Sequence, residues 1–119
     1  MLRPLTEADV EFEIECVPED RPVYGNASTI DGETDAQVEQ DIREELAHGN
    51  EWAWCLVRVT ARWAEYEGYD YRGGCSHRSE EQFKHPDGYY PVMKARALAD
   101  LNDVIATHAR NLEPLLVCV

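Results

Sequence analysis

Basic residues are scarce in the first half of this chain. Residues 1–51 contain three arginines (Arg3, Arg21 and Arg43) and no lysine, against fifteen Asp/Glu, a net of −12 out of −13 for the whole. A surface so short of Lys and Arg has little with which to neutralise phosphates, which argues against nucleic acid as a direct partner and against anionic membranes. No apolar run approaches the roughly 18 residues needed to span a bilayer, and no apolar signal core follows Met1. The reading is a cytoplasmic protein. Cysteine is sparse, with Cys16, Cys55, Cys75 and Cys118 at wide, irregular spacings. Without an export signal these are expected to be reduced thiols, and Cys16 and Cys55 fall on apolar faces where a thiol acts as a small hydrophobe. Catalytic motifs are missing too. Gly73-Gly74 lacks the Lys-Ser/Thr context of a phosphate loop. Cys75 and His77 stand two residues apart, which supplies no activating geometry. Carboxylates are plentiful, but an exposed row lacks the desolvation a general acid needs. The chain therefore reads as a non-enzyme with no cofactor and no bound metal.

What is present is patterned. At 119 residues the chain is one domain in length and long enough to bury a core without staples. Asp9, Glu11, Glu13 and Glu15 alternate with Val10, Phe12, Ile14 and Cys16. A period of two is a half-buried strand over Asp9–Val17, with its carboxylates on one face. Pro18 and Pro22 end it, and Val23–Gly32 is a polar connection with room for a short strand. A helix is expected from Asp35 to about His48, opened by a Thr34/Gln37 capping box, with Val38, Ile42 and Leu46 as its apolar stripe and Gly49 as its stop. Asp35, Glu39, Asp41, Glu44 and Glu45 make it a second acidic surface. A strand is expected from Glu51 to Trp63, apolar on both faces in its first half because of Trp52, Trp54 and Leu56. That suits a homodimer contact, or a cover supplied by the loop and tail. Its Arg58 and Arg62 are placed to pair with the glutamate row if the strands are neighbours. Glu65–Gly74 reads as a Tyr/Gly-rich loop, and Ser79-Glu-Glu-Gln82 as a capped helical turn ending at Phe83. The longest helix runs from Tyr90 to about Asn111, with Met93, Ala97, Leu101, Val104, Ile105, His108 and Leu112 lining its core face. Leu115–Val119 reads as an apolar tail. The fold class is α+β, a small β-sheet packed against two main helices in a single domain over residues 1–119.

Three groupings have a bland reading beside a sharp one. Cys75, His77 and His85 are of zinc-ligand type, but no second pair at finger spacing accompanies them. His108 and His48 read as structural histidines, one in the core and one on helix-end carbonyls. Tyr66, Tyr69, Tyr71, Tyr89 and Tyr90 either close the core or form an interaction surface.

The run Arg72-Gly-Gly-Cys-Ser-His-Arg-Ser-Glu-Glu-Gln-Phe-Lys-His-Pro-Asp-Gly-Tyr-Tyr90, followed by Met93 and Ala97-Leu-Ala-Asp-Leu-Asn102 and preceded by Trp52-Ala-Trp54, resembles a pattern in small acidic bacteriophage and plasmid accessory proteins of unassigned function. The resemblance covers residues 50–105. It transfers no site residue. It implies a mobile-element protein in the host cytoplasm, a class that includes anti-CRISPR and anti-restriction proteins imitating DNA charge. With the acidic half, it leads to the expectation of a host-defence inhibitor. The partner is a basic nucleic-acid-binding host protein, bound stoichiometrically through Asp9, Glu11, Glu13, Glu15, Asp35, Glu39, Asp41, Glu44 and Glu45. The rivals are a phage or plasmid interaction module using Trp52, Trp54 and the tyrosines, and a metal-binding loop at Cys75, His77 and His85.

Overall fold

The computed structural model describes residues 3–20, 22–23 and 32–116, with the side chains of 32–35 and 115–116 left out. Its elements are a 3-10 turn Glu7–Asp9, strand β1 (Glu11–Pro18), helix α1 (Gly32–Ala47), a 3-10 turn Glu51–Ala53, strands β2 (Cys55–Trp63) and β3 (Tyr66–Cys75), a short helix α2 (Glu80–Phe83) and a long helix α3 (Tyr90–Leu116). The strands form an antiparallel sheet in the order β1-β2-β3. This is the expected α+β architecture, a small sheet with two main helices. Two compact units divide the chain. One comprises Met1–Ile14, Val59–Asp70 and Pro91–Val119, and the other Glu15–Arg58 and Tyr71–Tyr90.

In the first unit the chain enters through a local polar knot. Asp9 Oδ2 accepts from the Thr6 backbone N–H (2.8 Å) and the Thr6 hydroxyl (3.0 Å), and Arg3 donates to both carboxylate oxygens (2.9 and 3.2 Å). Thr6 and Asp9 thus make a capping box around the 3-10 turn. This corrects the expected strand start: Asp9 is taken by the turn, and β1 begins at Glu11. The Arg3 hydrogen bond, then those from Thr6, hold the Asp9 carboxyl well below the usual carboxylate range. A carboxyl depressed on folding stabilises above its unfolded value of 3.8 and loses that contribution as pH falls toward the folded value. The Thr6 amide should therefore stay protected from hydrogen exchange below pH 3.8, where an ordinary carboxyl would already be protonated. In Asp9→Asn that pH-dependent protection should be gone; an unchanged exchange profile would contradict the assignment.

The β2–β3 link is two residues, Ala64-Glu65, with Ala64 in the left-handed region at φ 53°. No Gly, Asn or Asp marks this turn, and β3 itself is rich in Tyr and Gly. That is why Glu65–Gly74 reads as a loop in the sequence, whereas it is mostly strand. Gly68 shows what the glycine is for. A Cβ placed there would lie 2.2 Å from the Leu101 backbone nitrogen and 2.5 Å from the Ala97 carbonyl oxygen. The strand backbone thus seats directly on α3. Beside it, Asp100 Oδ2 accepts from the Tyr69 N–H (2.8 Å), and the Asn102 amide satisfies both the N–H and the carbonyl of Leu5 (2.9 and 3.1 Å).

Met93, Ala97 and Leu101 are buried together with Val59, Thr60 and Ala61. The apolar stripe of α3 is core only to that point, which is a second correction. Val104 and Leu112 are about two-fifths exposed, Ile105 is half-buried and His108 is exposed. The physical reason is reach. The strand backbone meets the helix at Ala97 and Leu101, and the 27-residue helix runs on for about 20 Å beyond Leu101. Helix α3 also continues past the expected Asn111 to Leu116, with Pro114 inside it. The final residues of the expected tail lie outside the described residues.

In the second unit α1 begins at Gly32, ahead of the expected Asp35, so Thr34 lies within the first turn. The side-chain cap expected of Thr34 lies outside the described residues, as does most of the Val23–Gly32 connection. The helix stops as expected. Gly49 has φ +94°, its N–H donates to the Leu46 carbonyl (3.0 Å), and the Asn50 N–H donates to that of Glu45 (3.0 Å), the paired bonds of a Schellman ending. His48 Nδ1 donates to the Glu44 carbonyl (2.7 Å). The segment 51–53 is a 3-10 turn rather than strand, because the Asn50 side chain accepts from the Trp52 N–H (3.2 Å). Val23, Ile42, Ala53 and Trp54 pack into one core with Val38 against it. Ser79 caps α2 by accepting from the Gln82 N–H (3.2 Å).

Cys55 and Cys75 are buried and Cys16 is half-buried, all as free thiols. Burial pushes all three thiols above their ordinary range, Cys55 the furthest, so their thiolates are scarce near neutral pH. The native protein should leave Cys55 and Cys75 unlabelled by an aromatic disulfide reagent at about pH 8, and both should react once it is denatured. Rapid native labelling of Cys75, located by peptide mass, would refute this.

Candidate acidic interface

The acids proposed from the sequence fall into two electrostatic situations. Glu11, Glu13 and Glu15 share the outward face of β1, with Phe12 and Ile14 half-buried between them. Two of the three are compensated. Arg62 Nη2 lies 2.9 Å from Glu13 and its Nε 3.2 Å from Glu67, and Arg58 is bonded to Glu15. The pairing expected of Arg58 and Arg62 is thus present. The hydrogen bond to Glu15, then that to Tyr71, raises the Arg58 guanidinium above its ordinary value, and Glu13 and Glu67 do the same for Arg62. Cross-strand pairs of this kind relieve the repulsion of a bare glutamate row. Glu11 is exposed and has no cationic partner among the described residues. Asp9, already bound by Arg3, is not part of the row.

Helix α1 differs. Asp41, Glu44 and Glu45 are exposed, and among the described residues none of them forms a salt bridge. Their side-chain donors are neutral amides: Gln37 to Asp41 (2.8 Å), Gln40 to Glu44 (3.2 Å) and Asn50 to Glu45 (3.3 Å). Glu39 turns inward, its side chain 12% exposed and 3.8 Å from Arg43. The side chain of Asp35 lies outside the described residues. The uncompensated acids therefore cluster on the second half of α1, on the face carrying Asp41, Glu44 and Glu45.

The same face borders a cavity that sequence reasoning missed. It has a volume of about 450 Å³ and is lined by Val38, Asp41, Ile42, Glu45, Asn50 and Ala53 on one side and by Ser76, His77, Arg78 and Gln82 on the other. The apolar stripe next to two carboxylates was visible in the sequence. The opposite wall was not, because nothing local to residues 76–82 says which helix they face.

The rival groupings are not assembled into sites. Trp54 is 7% exposed, and Trp52 is half-buried against Phe83 (ring centroids 5.4 Å apart) and His77 (6.4 Å). The apolar second face that suited a homodimer thus finds cover within its own chain. The tyrosines serve separate places. Tyr66 stacks on Trp63 and meets His108 edge-on, Tyr69 donates to Glu67, Arg72 lies 3.4 Å over the ring of Tyr89, and Tyr90 packs on Phe83. His108 is thus an exposed partner of Tyr66 rather than a core histidine. Cys75 Sγ donates to the Arg72 carbonyl (3.4 Å), His77 sits among rings, and His85 is exposed beside Asp87. Among the described residues no three His, Cys, Asp or Glu side chains converge on a metal position.

The architecture is that of a small α+β protein with an acidic helix face. Compared with protein-family models, with curated proteins and with solved structures, the chain matches none. No helix among the described residues is long and apolar enough to cross a membrane.

Proposed function

We propose that the chain is a non-catalytic, stoichiometric inhibitor of a basic nucleic-acid-binding complex in the host cytoplasm, of the anti-CRISPR or anti-restriction kind. In this reading the acidic face of α1 occupies a Lys/Arg surface meant for phosphates. The observation that carries it is the difference between the two acidic surfaces. The β1 acids Glu13 and Glu15 have internal arginines, while Asp41, Glu44 and Glu45 keep their charge available to a partner. Charge left uncompensated on a rigid helix steers a basic surface and raises its association rate. The choice of a defence complex as target follows the expectation drawn from the sequence pattern in residues 50–105. The test is capture from host lysate at low and at high salt, with the bound proteins identified. The expected catch is a nucleic-acid-binding complex released steeply by salt. A partner held unchanged at high salt would point to an apolar interface instead.

A further inference from the structure

We propose that the cavity beside α1 is a receptor for one basic side chain, lysine or arginine, projected by the partner protein. The proposal rests on the reading of α1 as the partner-binding face and adds an anchor to it. Two features of the second unit converge on this ligand chemistry. The first is the wall. Ile42 and Ala53 are buried and Val38 is half-buried, so the cavity offers an apolar surface suited to the methylene stem of a long side chain. The second is the charge. Asp41 and Glu45 stand one helical turn apart on the lining, each held by a neutral amide and neither by a cation among the described residues. A cationic head on an apolar stem satisfies both wall and rim, whereas a purely apolar or an anionic ligand satisfies one or neither. His77 also lines the cavity, but its Nδ1 is buried away from it and takes no part in the proposed contact. The volume of about 450 Å³ is ample for one side chain and lies within the range of small-ligand sites.

Arg78 is the one cation on the lining, and it has no ion-pair partner among the described residues. It competes with the incoming charge, which makes it a useful control. The experiment is a titration of the isotopically labelled full chain with the capped tripeptide Ac-Gly-Lys-Gly-NH2, followed by amide chemical shifts. The arginine and norleucine versions run in parallel, norleucine having a lysine-like stem without the charge. The expected result is saturable shifts confined to Val38, Ile42, Ala53 and His77, with about millimolar affinity for the lysine or the arginine peptide. The norleucine peptide should bind at least about tenfold more weakly. Asp41→Asn with Glu45→Gln should reduce lysine-peptide binding by about tenfold, and Arg78→Gln should tighten it about two- to threefold. All three positions are exposed, and unchanged circular dichroism would show that the fold survives. Equal binding of norleucine would make the cavity apolar only. Shifts spread over every acidic face, or none at all, would also overturn the proposal. None of these outcomes depends on identifying the host complex, so the anchor can fail while the wider function stands, or the reverse.

Discussion

Replacing Gly68 by alanine is expected to lower the melting temperature by roughly 10–20 °C, the largest loss among the described glycines. The reason is geometric. The new Cβ would lie 2.2 Å from the Leu101 nitrogen, 2.5 Å from the Ala97 oxygen and 2.6 Å from the Leu101 Cα, all backbone atoms of α3. Backbone in the middle of a helix cannot swing aside as a side-chain tip can. The strand must lift off the helix, and overpacking of this kind costs about 3 kcal/mol, a large part of the 5–15 kcal/mol that typically holds a domain together. The lift would also break the Tyr69 N–H bond to Asp100 (2.8 Å). Gly49→Ala is the control. Nothing lies within 4 Å of its Cβ position, and only its φ of +94° resists a side chain, so its cost should be about 1 kcal/mol. Thermal unfolding of the two variants separates close approach from backbone preference. Equal, small losses would show that β3 does not seat on α3 as described.

Gly68 also illustrates how much of the fold was legible. Periodicity placed β1, β2, α1, α2 and α3 to within a few residues, because each carries an amphipathic repeat or a cap that acts locally. β3 was missed because its glycines answer to residues distant in sequence: Gly68 to α3, and Gly73 and Gly74 to Glu19, which accepts from the Gly74 N–H. Much of the pattern in residues 50–105 has a structural use of the same kind. Ala97 and Leu101 receive Gly68, Asp100 and Asn102 bind backbone, and Phe83 is fully buried. Asp9 was misplaced for a local reason, since the alternation continues through it while Thr6 and Arg3 claim its carboxylate. The acidic surfaces were legible as composition. Their unequal compensation was not, because it depends on which strand faces β1.

Neutralising that α1 face should have the largest functional effect. Changing Asp41, Glu44 and Glu45 together to their amides should leave the fold intact, because these side chains are exposed and accept from the neutral amides of Gln37, Gln40 and Asn50. Association with the basic partner should slow by about tenfold or more, and its salt dependence should become shallower. One substitution would show little, since exposed pairs are worth about 0–1 kcal/mol each. The matching triple change of Glu11, Glu13 and Glu15 to Gln should slow association less, because Arg58 and Arg62 already hold two of these charges. Its cost should appear in stability instead, kept small by the partial exposure of both pairs. If the β1 triple weakened binding more than the α1 triple, the assignment of the working surface would be reversed. Parental binding by both would reduce the acidity to a solubility device.

The central claim is that this protein occupies a nucleic-acid site by its charge, and competition tests it most directly. The partner captured from lysate is purified, loaded with labelled nucleic acid and titrated with the chain while release is followed by fluorescence anisotropy. The account predicts complete displacement at one chain per binding site, no ternary complex, and a shift to higher concentration for the Asp41/Glu44/Glu45 variant. A stable ternary complex, with nucleic acid still bound at saturating chain, would contradict it.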